Sequence, residues 1–209
     1  MTDLEVFLVP TPHGDARVHF ARPADGAVGL MMLGHGAGGG VTAHDLRLAT
    51  EVVLGAGLAV ALVEQPYRVA GRRAPAPPAH VDAAWRAVTE HLHGAERGDL
   101  PLIVGGRSFG ARIACRTAGD VGATGVLCLA FPLHPPGRPE RTRLPELTSV
   151  TVPTLVVQGD RDPFGVPDPQ TLPSGITLAV VSGDHNLKKD AAAIRAAITT
   201  WLAEVIPGM

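Results

Sequence analysis

The sequence predicts an α/β fold built on a mostly parallel sheet with helices on both faces. Three observations predict it. Short apolar runs recur along the 209 residues without the strict in-and-out alternation of a sheet that is wet on one side. Amphipathic stretches at helical spacing separate those runs. One run, Leu102-Ile103-Val104, passes through Gly106-Arg107-Ser108-Phe109-Gly110 straight into helical periodicity at Phe109, Ile113 and Ala114. A strand that becomes a helix through one serine in G-x-S-x-G is a nucleophile-elbow pattern.

The length suits one domain spanning residues 1–209, with a sizeable core. Leu4 to Val9 and Ala16 to Ala21 read as an edge hairpin around the turn-rich Pro10–Asp15. Val28 to Leu33 is a third strand. Thr42 then opens a helix, with Asp45 completing a capping box and Leu46, Ala49 and Val53 forming its apolar stripe. Leu58 to Val63 is the next strand, followed by a Pro- and Arg-rich loop from Gln65 to Ala79. Val81, Trp85, Val88 and Leu92 mark a helix. Past the Ser108 unit come a strand from Gly125 to Ala130, a second Pro- and Arg-rich loop from Phe131 to Val150, and strands over Thr154–Gln158 and Ile176–Val181. A closing helix buries Ala191, Ile194, Ile198, Trp201, Leu202 and Val205.

Charge and composition narrow the function classes. A net charge of −2 gives no basis for nucleic-acid or anionic-membrane binding. No apolar run approaches the length of a membrane span. The acidic start, Met1-Thr2-Asp3-Leu4-Glu5, lacks a signal-peptide pattern, so a cytoplasmic location is expected. Cys115 and Cys128 read as well-separated core thiols, and no Cys/His cluster has metal-ligand spacing. No cofactor is expected, and oligomeric state is not encoded in any pattern.

Ligands bind at the carboxyl ends of strands in open parallel sheets. Polar residues just past strand ends are His35, Glu64, Ser108, His134, Asp160, Asp162 and His185. Ser108, Asp162 and His185 follow one another in the chain order Ser–Asp–His. A serine hydroxyl needs a base to become nucleophilic. Histidine titrates near neutrality and can shuttle that proton, and a carboxylate fixes its tautomer. Asp162 is favoured as the acid because it has more room to reach a neighbouring loop; Asp160 is the alternative, and otherwise forms a turn.

The glycine run after Leu33 has two readings. Gly34-x-Gly36-x-x-Gly39, with Glu64 ending the next strand, matches a dinucleotide-binding loop. Alternatively the loop forms an oxyanion hole, in which Ala37 N–H, or Gly38 N–H, joins Phe109 N–H. The second reading is favoured because it also accounts for Ser108, Asp162 and His185. His35 is expected to order this loop, and both His35 and His134 are possible pocket residues. Arg68, Arg72 and Arg73 read as a solvated loop face.

The segments His35-Gly36-Ala37-Gly38, Gly106-Arg107-Ser108-Phe109-Gly110, Gly159-Asp160-Arg161-Asp162 and Asp184-His185 resemble the α/β-hydrolase superfamily. The resemblance runs over nearly the whole chain. Within the superfamily it is similar to the small hydrolases near dienelactone hydrolase. It implies an eight-stranded, mostly parallel sheet, a Ser-His-Asp triad and no cap domain. Phe131–Val150 is too short for a helical cap, so an open, shallow site is expected. The chain departs from dienelactone hydrolase in having Ser108 where that enzyme has cysteine, so its substrate does not carry over. Ala37 also interrupts the glycine run of hormone-sensitive-lipase-type esterases. The expected activity is hydrolysis of a carboxylic ester or thioester of a small acyl substrate, with peptidase and lactonase open. Two alternatives remain: a non-catalytic binding protein of the same fold, and a dinucleotide-binding oxidoreductase.

Overall fold

The computed structural model describes residues 4–206, except the side chain of Arg97. Met1–Asp3, the start of the acidic N-terminal stretch, lies outside the described residues. Eight strands form one sheet in the order β1-β2-β4-β3-β5-β6-β7-β8. They are β1 (Glu5–Val9), β2 (Ala16–Ala21), β3 (Leu30–Gly34), β4 (Ala59–Glu64), β5 (Leu102–Arg107), β6 (Gly125–Leu129), β7 (Thr154–Gly159) and β8 (Ile176–Val181). Only β2 runs against its neighbours; β4 through β8 pair in parallel. The sheet is the mostly parallel, eight-stranded one that the resemblance implies.

Burial explains why the strands lack alternation. Every residue of β3, β6 and β7 is buried, because helices cover both faces. Helices α1 (His44–Gly55) and α6 (Ala191–Val205) close one face, packing Leu46, Ala49, Val53, Ile194, Ile198, Trp201 and Leu202 against Leu33, Val60, Ile103 and Leu127. Ala191 and Val205 of α6 are only partly buried, one turn nearer the ends than the core reaches. Helices α3 (Pro78–Leu92), α4 (Phe109–Thr117) and α5 (Leu144–Thr148) close the other face, with Val81, Trp85, Val88 and Leu92 buried as the spacing predicts.

The topology fixes where a ligand can bind. From β3 the chain crosses to β4 on one side. It then returns through α3 to β5 on the other side of β3, and continues outward to β8. The direction of winding therefore switches between β3 and β5. A crevice opens at the carboxyl ends of strands at such a switch. His35 follows β3 and Ser108 follows β5.

Four local expectations are corrected. Thr42 does not cap α1: the helix starts at His44, Ala43 is the N-cap, and no side chain caps it. Asp45 is drawn away by an ion pair described below. The Gln65–Ala79 segment is not a plain loop, since Pro66–Val69 forms α2 and Pro78 already begins α3. Both helices start at a proline, whose fixed φ suits a first turn and which lacks only a donor that would be unpaired there. Phe131–Val150 likewise contains α5, five residues long and far short of a cap. Cys115 and Cys128 are free and buried, as expected of core thiols, but they are not separated in space: α4 and β6 bring their sulfurs to 3.5 Å. That contact, together with burial, pushes the Cys128 thiol well up.

Candidate active site

The elbow forms where three glycines interlock. A Cβ on Gly34 would lie 3.1 Å from Gly110 Cα and 3.3 Å from the Trp85 ring. A Cβ on Gly106 would lie 2.8 Å from Gly34 N and 2.9 Å from Gly110 C. A Cβ on Gly110 would overlap the Gly34 carbonyl. Strand β3 therefore presses directly on the turn. Gly34, which the sequence offers to a dinucleotide loop, is used in this packing. Ser108 sits at the apex with φ 52 and ψ −106, a conformation costly for a side chain with a Cβ. The turn is held by Ser108 N–H donating to Leu129 O at 2.8 Å. Phe109 begins α4, so its N–H has no partner one turn earlier inside the helix.

Three distant segments meet here. Ser108 Oγ lies 2.9 Å from His185 Nε2, and His185 Nδ1 lies 2.8 Å from Asp162 Oδ2. An ionised carboxylate only accepts, so the ring proton belongs on Nδ1, which leaves the Nε2 lone pair facing the serine hydroxyl. The Asp162 side chain is fully buried. Its Oδ1 accepts Phe164 N–H at 2.8 Å, and its Oδ2 accepts from Gln158 Nε2, also at 2.8 Å. The Phe164 ring packs on the imidazole with centroids 4.3 Å apart. Asp160 does different work: its Oδ1 accepts Gly183 N–H at 2.8 Å, tying the β7 turn to the loop that carries His185. The carboxylate that reaches the imidazole is thus Asp162, and Asp160 is a turn residue.

The loop after β3 lies beside the serine, since a Cβ on Gly36 would stand 3.8 Å from Ser108 Cβ. Gly39 N–H donates to Gly36 O at 3.1 Å, which makes Ala37 and Gly38 the two central residues of a tight turn. His35 orders it from behind. It is 1% exposed, its Nδ1–H donates to Gly36 O at 2.8 Å, and its Nε2 accepts Gln65 N–H at 3.1 Å. Burial lowers its pKa, and both ring nitrogens are engaged, so it presents none to a ligand. The Tyr67 hydroxyl donates to Ala37 O at 2.8 Å. Burial pushes that phenol up to about 12, so it remains a donor. His134 stays outside the constellation: its Nδ1 lies 3.0 Å from Pro135 O, and its ring abuts Gly165.

Glu64 does not fit a ribose-binding role. Its Oε2 lies 3.0 Å from Arg17 and 3.3 Å from His19 on β2. Burial alone would raise its carboxyl, but the hydrogen bonds from His19 and Arg17 outweigh it and hold the pKa below the usual range. Among the described residues no group of three or more His, Cys, Asp or Glu is placed to hold a metal ion, and no helix is long and apolar enough to cross a membrane.

Sequence reasoning missed Arg107. It occupies the first variable position of G-x-S-x-G. Its Nε lies 2.9 Å from Oδ2 of Asp45, whose side chain is fully buried. Its Nη2 donates to His185 O and to Asn186 Oδ1, both at 3.1 Å. Burial pushes the Asp45 carboxyl up, and the Arg107 guanidinium opposes that rise. One side chain thus joins α1 to the histidine loop. The only trace of it in the sequence is Asp45 near the start of α1, where it passes for a capping residue. Gln158, the donor to Asp162, was missed as well, since inside a strand it carries no pattern.

The sequence profile of the alpha/beta hydrolase domain family matches residues 27–203. Solved structures share the architecture from end to end. An alpha-beta serine hydrolase homologue from Coxiella burnetii superposes with a TM-score of 0.80 at 23% identity, covering 97% of this chain and 99% of that one. A serine hydrolase without lid from Xanthomonas campestris gives 0.77 at 23% identity, covering 100% and 98%. Dienelactone hydrolase from Anabaena variabilis gives 0.74 at 18% identity, covering 98% and 99%. With a profile match over most of its length and a shared capless fold, the chain belongs to the alpha/beta hydrolase family.

Proposed function

We propose that the protein is a serine hydrolase that cleaves a carboxylic ester or thioester of a small acyl substrate through an acyl-enzyme. The observation that carries this reading is the unbroken relay from Ser108 Oγ to His185 at 2.9 Å and from His185 to Asp162 at 2.8 Å. Ser108 Oγ attacks the carbonyl carbon while its proton passes to His185 Nε2. Asp162 holds the resulting imidazolium. The tetrahedral oxyanion lies against the N–H groups of Phe109 and Ala37, with Gly38 N–H as the alternative to Ala37. One such donor is typically worth about 10²–10³ in rate. Collapse expels the alcohol or thiol, which takes the proton from His185. Water then attacks the acyl-serine through the same base and frees the acid.

A non-catalytic binding protein of this fold has no need of a buried carboxylate aligned on a serine–histidine pair. The engaged Glu64 disfavours a dinucleotide site.

The test is labelling by a fluorophosphonate probe together with hydrolysis of aryl esters of graded acyl length. Wild type is expected to label and turn over, and Ser108→Ala is expected to do neither while keeping its fold. Well-folded wild type that ignores both the probe and every ester would end the proposal.

A further inference from the structure

One buried hydroxyl near the reacting serine has no part in the relay. Tyr67, the only tyrosine in the chain, lies on α2 just past the end of β4. It is 4% exposed. Its ring stands edge-on to His35 and to Phe109, at centroid distances of 5.9 and 6.5 Å. Packing on two sides fixes where the hydroxyl points, and it donates to Ala37 O at 2.8 Å.

The oxygen it holds belongs to the central peptide of a turn. Gly39 N–H donates to Gly36 O, so Ala37 and Gly38 occupy the two middle positions. Neither has a positive φ, which makes the turn type I. A type II turn closes with the same end-to-end bond, but its central peptide is turned over. It needs φ > 0 at the third position, a region that Gly38 enters at no steric cost. The loop therefore has two states of similar backbone energy. Carbonyl and N–H point opposite ways from a trans peptide, so the flip puts Ala37 O where Gly38 N–H had been.

We propose that Tyr67 is a positioning residue: its hydroxyl grips Ala37 O and so keeps Gly38 N–H, and not a carbonyl oxygen, on the side away from Tyr67, where the oxyanion forms. This rests on the hydrolase reading. Whichever of Ala37 and Gly38 supplies the second donor, that donor adjoins this peptide. A carbonyl dipole turned toward the developing negative charge would raise its energy. Without the hydroxyl, Ala37 O would face a ring that offers no donor. Leaving such an acceptor unpaired shifts the equilibrium by about fivefold to a hundredfold, here toward the flipped turn. The competent fraction falls with it. Substrate in the ground state carries no oxyanion, so the loss falls on kcat.

Aryl-ester kinetics are compared in wild type, Tyr67→Phe, Gly38→Ala and the double variant. Tyr67→Phe should lower kcat by about fivefold or more, with KM within about twofold of wild type. Alanine at position 38 suits the type I turn, since its Cβ meets nothing within 4 Å, but it resists the φ > 0 that the flipped turn requires. In the Gly38→Ala background, removing the hydroxyl should therefore cost less than about twofold. An unchanged kcat in Tyr67→Phe, a loss that falls on KM alone, or equal losses in both backgrounds would each overturn the proposal.

Should Tyr67→Phe fail to fold, replacing the single tyrosine by trifluorotyrosine keeps the ring and makes the phenol more acidic. Burial pushes the natural phenol up to about 12, so wild type keeps its donor well into the alkaline range. The fluorinated protein should lose kcat as its hydroxyl ionises, at a pH where wild type does not, and matching pH profiles would overturn the proposal. Wild-type turnover is measured first. Its absence would remove the hydrolase reading and this one with it, whereas turnover indifferent to Tyr67 would remove this one alone.

Discussion

Arg107→Met separates stability from positioning in one experiment. The substitution removes the cation beside a carboxylate whose side chain is wholly buried, at a separation of 2.9 Å. At an effective dielectric of about 20, two unit charges that close attract by roughly 6 kcal/mol. Much of that offsets desolvation, but removing one partner leaves the other charge stranded, which costs about 3–5 kcal/mol. At about 2–4 °C per kcal/mol for a chain of this size, the melting temperature should fall by roughly 6–20 °C. Adding Asp45→Asn removes the stranded charge while keeping an oxygen for the Leu46 amide, which donates to Asp45 at 2.9 Å. The double variant should therefore recover most of the lost stability. It should not recover activity, because His185 O and Asn186 Oδ1 still lack their donor. A displacement of the imidazole by about 1 Å costs about 10² in kcat, with KM little changed. The assays are calorimetry and aryl-ester kinetics on wild type, both single variants and the double. An Arg107→Met protein that melts within 2 °C of wild type would refute the ion-pair reasoning; here about 2 °C is the smallest shift assigned to 1 kcal/mol. Full kcat in the double variant would refute the positioning role.

Three further outcomes are expected. Asp162→Asn should lower kcat by about 10⁴, the scale of losing a carboxylate that fixes a histidine tautomer, whereas Asp160→Asn, which keeps an oxygen for Gly183 N–H, should leave kcat near wild type; equal losses in aryl-ester assays would contradict the assignment of Asp162. Gly110→Ala puts a methyl into the Gly34 carbonyl and should cost about 1–3 kcal/mol or more with loss of probe labelling, while Gly38→Ala enters open space and should leave the melting temperature unchanged. Burial lowers the His35 pKa, so the unfolded chain takes up this proton first; that contribution to stability is complete above about pH 6.5 and is lost as pH falls from there toward the lowered folded value. Urea midpoints from pH 8 to 5 should show the decline, and His35→Gln should flatten it.

What was legible in the sequence is what local rules determine. The strand runs could be read because a sheet buried on both faces needs continuous apolar residues, and the helix stripes of Val81, Trp85, Val88 and Leu92 because 3.6-residue periodicity selects one face. Ser108, Asp162 and His185 stood out because each follows a strand end, and the topology gathers strand ends at one edge. What stayed hidden depends on contacts between segments. Thr42 and Asp45 satisfy a capping pattern, but the Arg107 guanidinium outcompetes a local turn for the buried carboxylate, because a stranded charge costs more than an unmade cap. The two thiols looked remote because thirteen positions of chain say nothing about how α4 lies on β6. Gly34 misled for the same reason: its small size serves the approach of β3 to the elbow, a relation between strands that a motif read along one segment assigns to a phosphate. Arg107 shows how far this goes. As a variable position beside the nucleophile it carries no motif, yet its side chain touches both Asp45 of α1 and the histidine loop. A two-residue swap that keeps every motif intact but removes this contact should therefore do more harm to turnover than to folding.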